Sequence, residues 1–407
     1  MHIDDLRRDV LPTGCRVSAR LVAEGGYAGP ARLWYETDPA FADDLEAAPE
    51  AFLLAGAAAA MRHGEPRVTI DAPVCPRFVA GLEDVLRLFH AWEPAFRPVP
   101  VEPLGGLVAP RPRTPPRAAL FLSGGVDSLS LLRTHRAALP AGHPAALADA
   151  FYLVGLHPDD VRGDAPDPER LRGHLEQQAR LRALCDATGL ALVPVRTNAR
   201  ALCPDFHAWK YLQFGPSTWA VAHLFRRRVT DVWLASHGYG AAQGRYSSHP
   251  LVDPSLSSAA VTLHTGEPLV LRQAKLDTVA AWPEGLAALQ VCLTHDPLPP
   301  GVANCGRCEK CLRTRLNLLV AGALDRAPTF PSRGLGPDEL ASYSPASDPR
   351  GYFTGPLVEG LLRVGRVDLA DALRRRLAHA RRKARRRASW WGRALRRLRG
   401  RRFRGRS

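Results

Sequence analysis

The spacing of apolar residues divides the chain into two kinds of region. Over the first hundred residues, two short runs bounded by glycines indicate strands, and two longer runs with apolar residues on one side indicate helices. The strand-like runs are Arg16–Val22 and Ala31–Thr37, and the helix-like runs are Ala51–Arg62 and Pro76–Trp92. We therefore predict a small N-terminal α+β accessory unit over 1–100 and a proline-rich linker over 101–116.

From residue 117 onward the pattern alternates between buried strands and helices. The predicted strands are Ala118–Leu122, Phe151–Leu156, Ala191–Val195 and Asp231–Ala235, and the predicted helices begin near Ser128 or span Pro168–Thr188 and His207–Arg228. Such alternation predicts an α/β fold with a parallel, doubly wound sheet that binds ligands at the carboxyl ends of its strands. We assign this domain to 117–330, a C-terminal helical segment to 331–372 and a tail to 373–407.

Charge is distributed unevenly along the chain. The formal net charge is +15, and 17 of the 55 Lys and Arg residues lie in 374–407, which contains no acid. The remaining 38 basic residues nearly balance the 40 acids. The N-terminus has no secretory pattern, and the apolar run Ala51–Met61 is too short to span a bilayer. We therefore expect a cytoplasmic protein.

A glycine turn between the first strand and the first helix of the 117–330 domain is the strongest chemical signal. The turn consists of Ser123, Gly124, Gly125, Val126, Asp127 and Ser128. Adjacent glycines and the start of a helix expose backbone N–H groups that bind phosphate oxygens. The two serines add hydroxyl donors, and Asp127 either holds the loop closed or positions Mg²⁺. The turn matches neither the Walker nor the dinucleotide-binding pattern.

Four cysteines have the spacing of a metal site. Cys305, Cys308 and Cys311 form a C-x-x-C-x-x-C pattern, and Cys292 lies upstream. Four soft ligands without an open position predict a structural, tetrahedral Zn²⁺ site. An Fe–S cluster remains the alternative, since its ligands have similar spacing.

Polar residues after the fourth strand are candidates for substrate contact, because this fold binds substrates at the carboxyl ends of strands. These candidates are His237, Tyr246, Ser247, His249 and Asp253. The alternative for each of them is an ordinary position in a solvated surface loop.

The sequence SGGVDS resembles the signature of the PP-loop ATP pyrophosphatases, a superfamily of adenine nucleotide α-hydrolase-like (HUP) proteins. The sequences LWYETD, SHPLVDPSLSS and NCGRCEKCLRT resemble a group within it that is similar to 7-cyano-7-deazaguanine synthase. That enzyme has a similar cysteine cluster but no comparable N-terminal unit. The resemblance implies ATP and Mg²⁺ as cofactors, adenine near Leu156, and a role for Lys275 in contacting phosphates. We therefore take Asp127 and Lys275 as candidate catalytic residues.

These observations predict an AMP- and pyrophosphate-forming enzyme that adenylates a small-molecule substrate for attack by a nitrogen or sulfur nucleophile. Because no glutaminase triad is apparent, ammonia would have to come from solution or from an ammonia-donating partner; a sulfur-donating partner and a homodimer are left open. A tRNA-modifying enzyme of the thiolation type and a non-catalytic ATP- or AMP-binding protein are the alternatives.

The amphipathic, arginine-rich tail fits an anionic surface such as the inner membrane, a nucleic acid, or no partner.

Overall fold

A computed structural model describes residues 1–157, 160–162, 165–166, 168–237, 244–292, 298–299, 301–331, 334–343 and 353–383. The chain divides into two compact units, Met1–Leu271 and Arg272–Ser407. None of the helices within the described ranges combines the length and the apolar character needed to cross a membrane.

All the strands within the described ranges lie in the first unit. They are β1 (His2–Leu11), β2 (Gly14–Val22), β3 (Arg32–Thr37), β4 (Val68–Ile70), β5 (Val101–Pro103), β6 (Ala118–Phe121), β7 (Leu147–Val154), β8 (Val161–Arg162), β9 (Ala165–Pro166), β10 (Ala191–Thr197), β11 (Asp231–Ala235) and β12 (Thr262–Gly266). Its helices are α1 (Pro49–His63), α2 (Pro76–Trp92), α3 (Val126–Ala138), α4 (Pro168–Thr188), α5 (Phe206–Ala208) and α6 (Phe214–Leu224). A π-helical segment, Trp209–Gln213, joins α5 to α6.

The second unit is helical where it is described. Its helices are α7 (Arg272–Ala280), α8 (Pro283–Ala288), α9 (Glu309–Val320), α10 (Thr354–Arg363) and α11 (367–383). Helix α11 includes the start of the predicted basic tail, and residues 384–407 lie outside the described ranges.

Ten of the described strands form one sheet in the order β12-β11-β6-β7-β10-β3-β2-β1-β4-β5. Strands β12, β11, β6, β7 and β10 run parallel to one another. If these five strands are numbered 1 to 5 in chain order, starting at β6, their order across the sheet from β10 to β12 is 3-2-1-4-5. This is the doubly wound arrangement. The prediction of an α/β fold with a parallel sheet is therefore confirmed.

The N-terminal strands continue this sheet and do not form a separate layer. Strand β3 pairs with β10 in antiparallel orientation. The next two pairs, β3 with β2 and β2 with β1, are antiparallel as well. The boundary predicted near residue 100 thus does not divide the sheet, because backbone hydrogen bonds cross it. The predicted linker also contains β5, which pairs with β4. The predicted 117–330 domain spans parts of both compact units.

Helix α1 explains the apolar run at Ala51–Met61. Nearly every residue of this helix is buried, so its surface is apolar all round and lies inside the core of the first unit. Helix α2 is different, since it buries only one face, with Phe78, Leu82, Val85 and Phe89 in that core.

Candidate functional site

The centre of the parallel sheet is a topological switch point. From β6 the chain moves to β7 and β10 on one side, and then returns to β11 on the other side of β6. Right-handed crossovers place helices on opposite faces for these two directions. Doubly wound sheets bind ligands at such a switch point, which here lies at the carboxyl ends of β6 and β11.

The glycine turn lies at the carboxyl end of β6, as predicted. Gly124 has φ 76°, a left-handed conformation that favours glycine, and Gly125 is the N-cap of α3. Inside the turn, the Gly125 amide donates to Ser123 Oγ at 3.3 Å, and Ser128 Oγ donates to the Gly125 carbonyl at 3.1 Å. Ser123 itself is exposed. These hydrogen bonds fix the conformation of the turn at the start of α3, where helical amides have no partner within the helix.

The segment after β7 carries Leu156, the residue expected near adenine, and it is fixed by a buried carboxylate. Asp160 Oδ2 accepts hydrogen bonds from the amides of Gly155 (3.1 Å) and His157 (3.0 Å). Burial opposes ionisation, but the hydrogen bonds from His174 and these amides hold the pKa of Asp160 below its ordinary value. Leu156 is half-buried within the turn that this carboxylate fixes.

A histidine on α4 completes this arrangement. His174 Nε2 lies 3.0 Å from Asp160 Oδ1, and His174 Nδ1 lies 2.9 Å from the hydroxyl of Tyr152 in β7. One turn further along α4, Gln177 Nε2 donates to the carbonyl of Ser123 at 3.3 Å. Helix α4 therefore braces both the glycine turn and the segment after β7. The sequence analysis missed these residues, since their partners are distant along the chain.

The five candidates after β11 separate into two groups. Ser247 and Asp253 are fully buried. Ser247 Oγ bonds the Lys210 carbonyl and the Gly215 amide, each at 3.0 Å. His249 is half-buried, which lowers its pKa, and its ring packs against Trp92. Their contacts are therefore those of structural positions.

Asp253 accepts four hydrogen bonds from α6, β12 and its own loop. The donors are Trp219 Nε1 (2.9 Å), Ser248 Oγ (3.0 Å), Thr265 Oγ1 (2.7 Å) and the His249 amide (3.1 Å). Burial nevertheless raises the pKa of Asp253 to about 6. A carboxylate enclosed in this way joins α6, β12 and the loop after β11, and a direct contact with substrate fits it poorly.

His237 and Tyr246 form the second group and lie in contact. Their rings stack with centroids 5.1 Å apart and planes 14° apart, and Tyr246 also stacks on Tyr211 at 5.8 Å and 20°. His237 is exposed, and Tyr246 is half-buried. These two candidates remain accessible at the carboxyl edge of the sheet.

Lys275 lies on α7 in the second unit and is fully buried. It has interactions with other groups, as a buried ammonium requires. Lys275 is therefore not a solvated lysine on the protein surface.

The four predicted metal ligands come together in the second unit. The four Sγ atoms all lie within 4.8 Å of one another; they belong to Cys292, Cys305, Cys308 and Cys311. The Cys292–Cys308 and Cys305–Cys311 sulfur distances are 4.0 and 3.8 Å. Those values are far longer than a disulfide bond and match the edge of about 3.8 Å in a tetrahedron with Zn–S bonds of about 2.3 Å.

Backbone amides are directed at these sulfurs, as in metal-binding turns. The Cys305 amide donates to Cys292 Sγ at 3.4 Å, and the Cys308 amide donates to Cys305 Sγ at 3.3 Å. Hydrogen bonding to Cys292 and Cys308, together with burial, raises the pKa of Cys311. Four thiolates packed this closely need a cation to replace their protons.

Asn304, which the sequence analysis missed, positions Cys292. This buried side chain accepts from the Val291 amide at 2.8 Å and the Cys292 amide at 3.1 Å, and it donates to the Leu289 carbonyl at 2.9 Å. Across the cluster, Arg315 donates to the Gly306 carbonyl at 3.0 Å and pairs with Glu339 at 2.8 Å. The cluster is thus supported on two sides.

Comparison with protein-family models, curated proteins and solved structures finds no match to this chain. The function must therefore be argued from the two arrangements themselves. A glycine turn at a switch point can hold the phosphates of a nucleotide, while four closely packed thiols can hold a metal ion.

Proposed function

We propose that this protein is a PP-loop enzyme that converts ATP to AMP and pyrophosphate while adenylating a small-molecule substrate. The observation that carries the proposal is the SGGVDS turn at the carboxyl end of the central strand, beside the switch point. In this position the amides of the turn and the start of α3 favour the pyrophosphate portion of ATP.

The reaction that fits the site is attack by a substrate oxygen on the α-phosphate, with pyrophosphate leaving into the turn. A nitrogen or sulfur nucleophile then displaces AMP. In this proposal Ser123 and Ser128 donate to pyrophosphate oxygens, and Asp127 positions the nucleotide and its Mg²⁺. The segment at Leu156, held by Asp160, supports the adenine ring. Rate acceleration comes mainly from positioning and from neutralisation of charge.

Lys275 is assigned to the same reaction as a second source of positive charge. Its burial means that its ammonium is already paired inside the protein, so the assignment needs a direct test. Lys275→Met is expected to slow pyrophosphate release while leaving ATP binding within a fewfold of wild type. Unchanged turnover in a folded Lys275→Met protein would remove Lys275 from the mechanism.

We further propose Zn²⁺ as the occupant of the cysteine cluster. Sulfur atoms that all lie within 4.8 Å of one another fit a single tetrahedral ion. A cluster with several irons distributes its cysteine ligands over different iron atoms and fits this compact set less well. The ion would be structural, because the four thiolates fill its coordination positions.

The test of the nucleotide chemistry is to incubate the protein with ATP, Mg²⁺ and a metabolite extract, and to follow AMP and pyrophosphate by mass spectrometry. Ser128→Ala and Asp127→Asn should reduce formation of both products at least tenfold. His143→Ala, on the loop after α3 at the opposite edge of the sheet, is the matched control. Formation of ADP in place of AMP would contradict the proposed reaction.

A further inference from the structure

Helices α9 and α10 of the second unit run in the same direction, and they begin close together. Phe353, the N-cap of α10, contacts Arg313 in the second turn of α9. Seven residues further along each helix, Gly360 of α10 faces Val320 of α9, because a Cβ added to the glycine would lie 2.8 Å from the valine side chain. The positive ends of the two helix dipoles therefore lie on the same side of the unit, where they favour a negative charge.

The guanidinium of Arg313 is buried at this place. Its side chain is only 10% exposed, and Cζ lies 4.4 Å from the centroid of the Phe353 ring. Among the residues that the structure describes, Nε of Arg313 has no hydrogen-bond partner, and the one carboxylate within 4.0 Å of the guanidinium is Glu309, with Oε1 3.8 Å from Nη1. That distance is too long for a hydrogen bond. Buried charged groups generally donate to several acceptors, so Arg313 lacks the partners that offset the cost of its burial.

The first turn of α10 has no capping side chain. Phe353 at the N-cap makes no side-chain hydrogen bond to the helix, since a phenyl ring offers no oxygen to the amides of the first turn. A Cβ added at Gly355, the second residue of α10, would meet nothing outside its own helical turn within 4 Å, so the space beside this turn is open. Arg313 stacks on the ring of the same N-cap residue. The guanidinium and the uncapped helix start are therefore adjacent.

We propose that Arg313 and the first turn of α10 bind a phosphate group, either as inorganic phosphate or as the phosphate of a small ester. A planar guanidinium presents a fork of donors that matches two phosphate oxygens, and a helix start adds backbone N–H groups and a positive dipole end. Phosphate is favoured over a carboxylate, because its additional charge and oxygens serve the guanidinium and the helix start together. The site uses none of the residues assigned to ATP or to the metal ion, and it goes beyond the proposed reaction.

The experiment is calorimetric titration of the full chain with inorganic phosphate and with glycerol 3-phosphate, in the presence of α,β-methylene-ATP to occupy the glycine turn. Arg313→Met should weaken binding at least tenfold, and Arg313→Lys should also weaken it, because lysine lacks the fork of donors. Glu309→Gln removes the nearby carboxylate and should tighten binding several-fold. Arg363→Met removes the same charge from the last turn of α10, so this matched control should stay within about twofold of wild type.

The competing outcomes are decided by the same titrations. A wild type that binds neither compound at millimolar concentration, equal affinity in a folded Arg313→Met protein, or acetate bound as tightly as phosphate would each overturn the proposal. The tighter of the two phosphate compounds identifies the source of the group. Thermal unfolding shows whether Arg313→Met is folded; if it is not, unchanged affinity in Glu309→Gln overturns the proposal instead. Formation of AMP does not enter this measurement, so either proposal can fail without the other.

Discussion

The cysteine cluster and the glycine-turn edge are assembled in opposite ways. Three of the four cysteines lie within seven consecutive residues, and Cys292 is only thirteen residues upstream. The edge of the sheet, in contrast, brings together the turn after β6, the segment after β7, helix α4 and the loop after β11. The cluster depends on its four ligands, while the edge of the sheet depends on many separate hydrogen bonds. A single substitution should therefore cause a large loss of metal binding at the cluster, but only a partial loss of stability or ATP binding at the edge.

The largest effect is expected from removing one sulfur. Cys311→Ser leaves three thiolates around the proposed ion, so we expect metal content to fall at least tenfold and the second unit to unfold at a lower temperature. Elemental analysis and thermal unfolding measure the two quantities. Cys185→Ala is the control, because Cys185 is a buried cysteine of the first unit with no role in the cluster. Full metal content in Cys311→Ser would mean that the cluster is not the binding site.

An intermediate effect is expected at Asp253, which joins α6, β12 and the loop after β11. The pKa of Asp253 is about 6 in the folded protein, against an ordinary value of 3.8 for an exposed aspartate in the unfolded chain. Between these two pH values the folded state therefore holds a proton that the unfolded state releases. Stability should therefore fall by about 3 kcal/mol between pH 4 and pH 6 and then level off. Below pH 4 this contribution is fully retained, because both states are protonated.

Urea unfolding of the wild type and of Asp253→Asn at pH 4, 5, 6 and 7 isolates this contribution. The amide does not titrate, so the difference in unfolding free energy between the two proteins should follow the predicted curve. Trp219 donates to Asp253 and is one fluorescent reporter of the region. A difference that is constant across this pH range would contradict the assignment.

The smallest effect is expected at Asp160, which braces the segment near the proposed adenine site. Asp160→Asn keeps the size of the side chain but weakens its hydrogen bonds with His174 and the amides of Gly155 and His157. We expect the Kd for ATP to rise about tenfold, equivalent to about 1.4 kcal/mol, with a smaller change in turnover. Calorimetric titration with ATP tests this. An equal loss in binding of inorganic pyrophosphate, which lacks adenine, would contradict the assignment.

The same contrast explains what could be predicted from the sequence. The cysteine ligands and the glycine turn are local patterns in the sequence, so both can be predicted from it. Helices α2 and α4 and strand β11 have the predicted bounds, because their apolar spacing is regular. The Asp160–His174 brace and the stacked rings of Tyr211 and Tyr246 join residues that are distant along the chain, so no local spacing indicates them.

Strand β1 shows a second reason for a missed prediction. Its sequence, HIDDLRRDVL, is rich in charged residues, and much of the strand is exposed or only partly buried. Pairing with β2 and β4 supplies the order that its own apolar residues do not. Strand β5 was likewise not predicted, because its three residues were assigned to the proline-rich linker. A strand this short can be recognised only when its partner, β4, is known.

The pairing of β3 with β10 has a consequence for how copies of this protein can associate. Without the N-terminal strands, β10 would present a row of unsatisfied backbone groups along the apolar sequence ALVPVRT. Such an open border recruits strands from other molecules and leads to filaments or precipitates. The first hundred residues occupy that border permanently, so a shortened version beginning near β6 should be difficult to keep in solution.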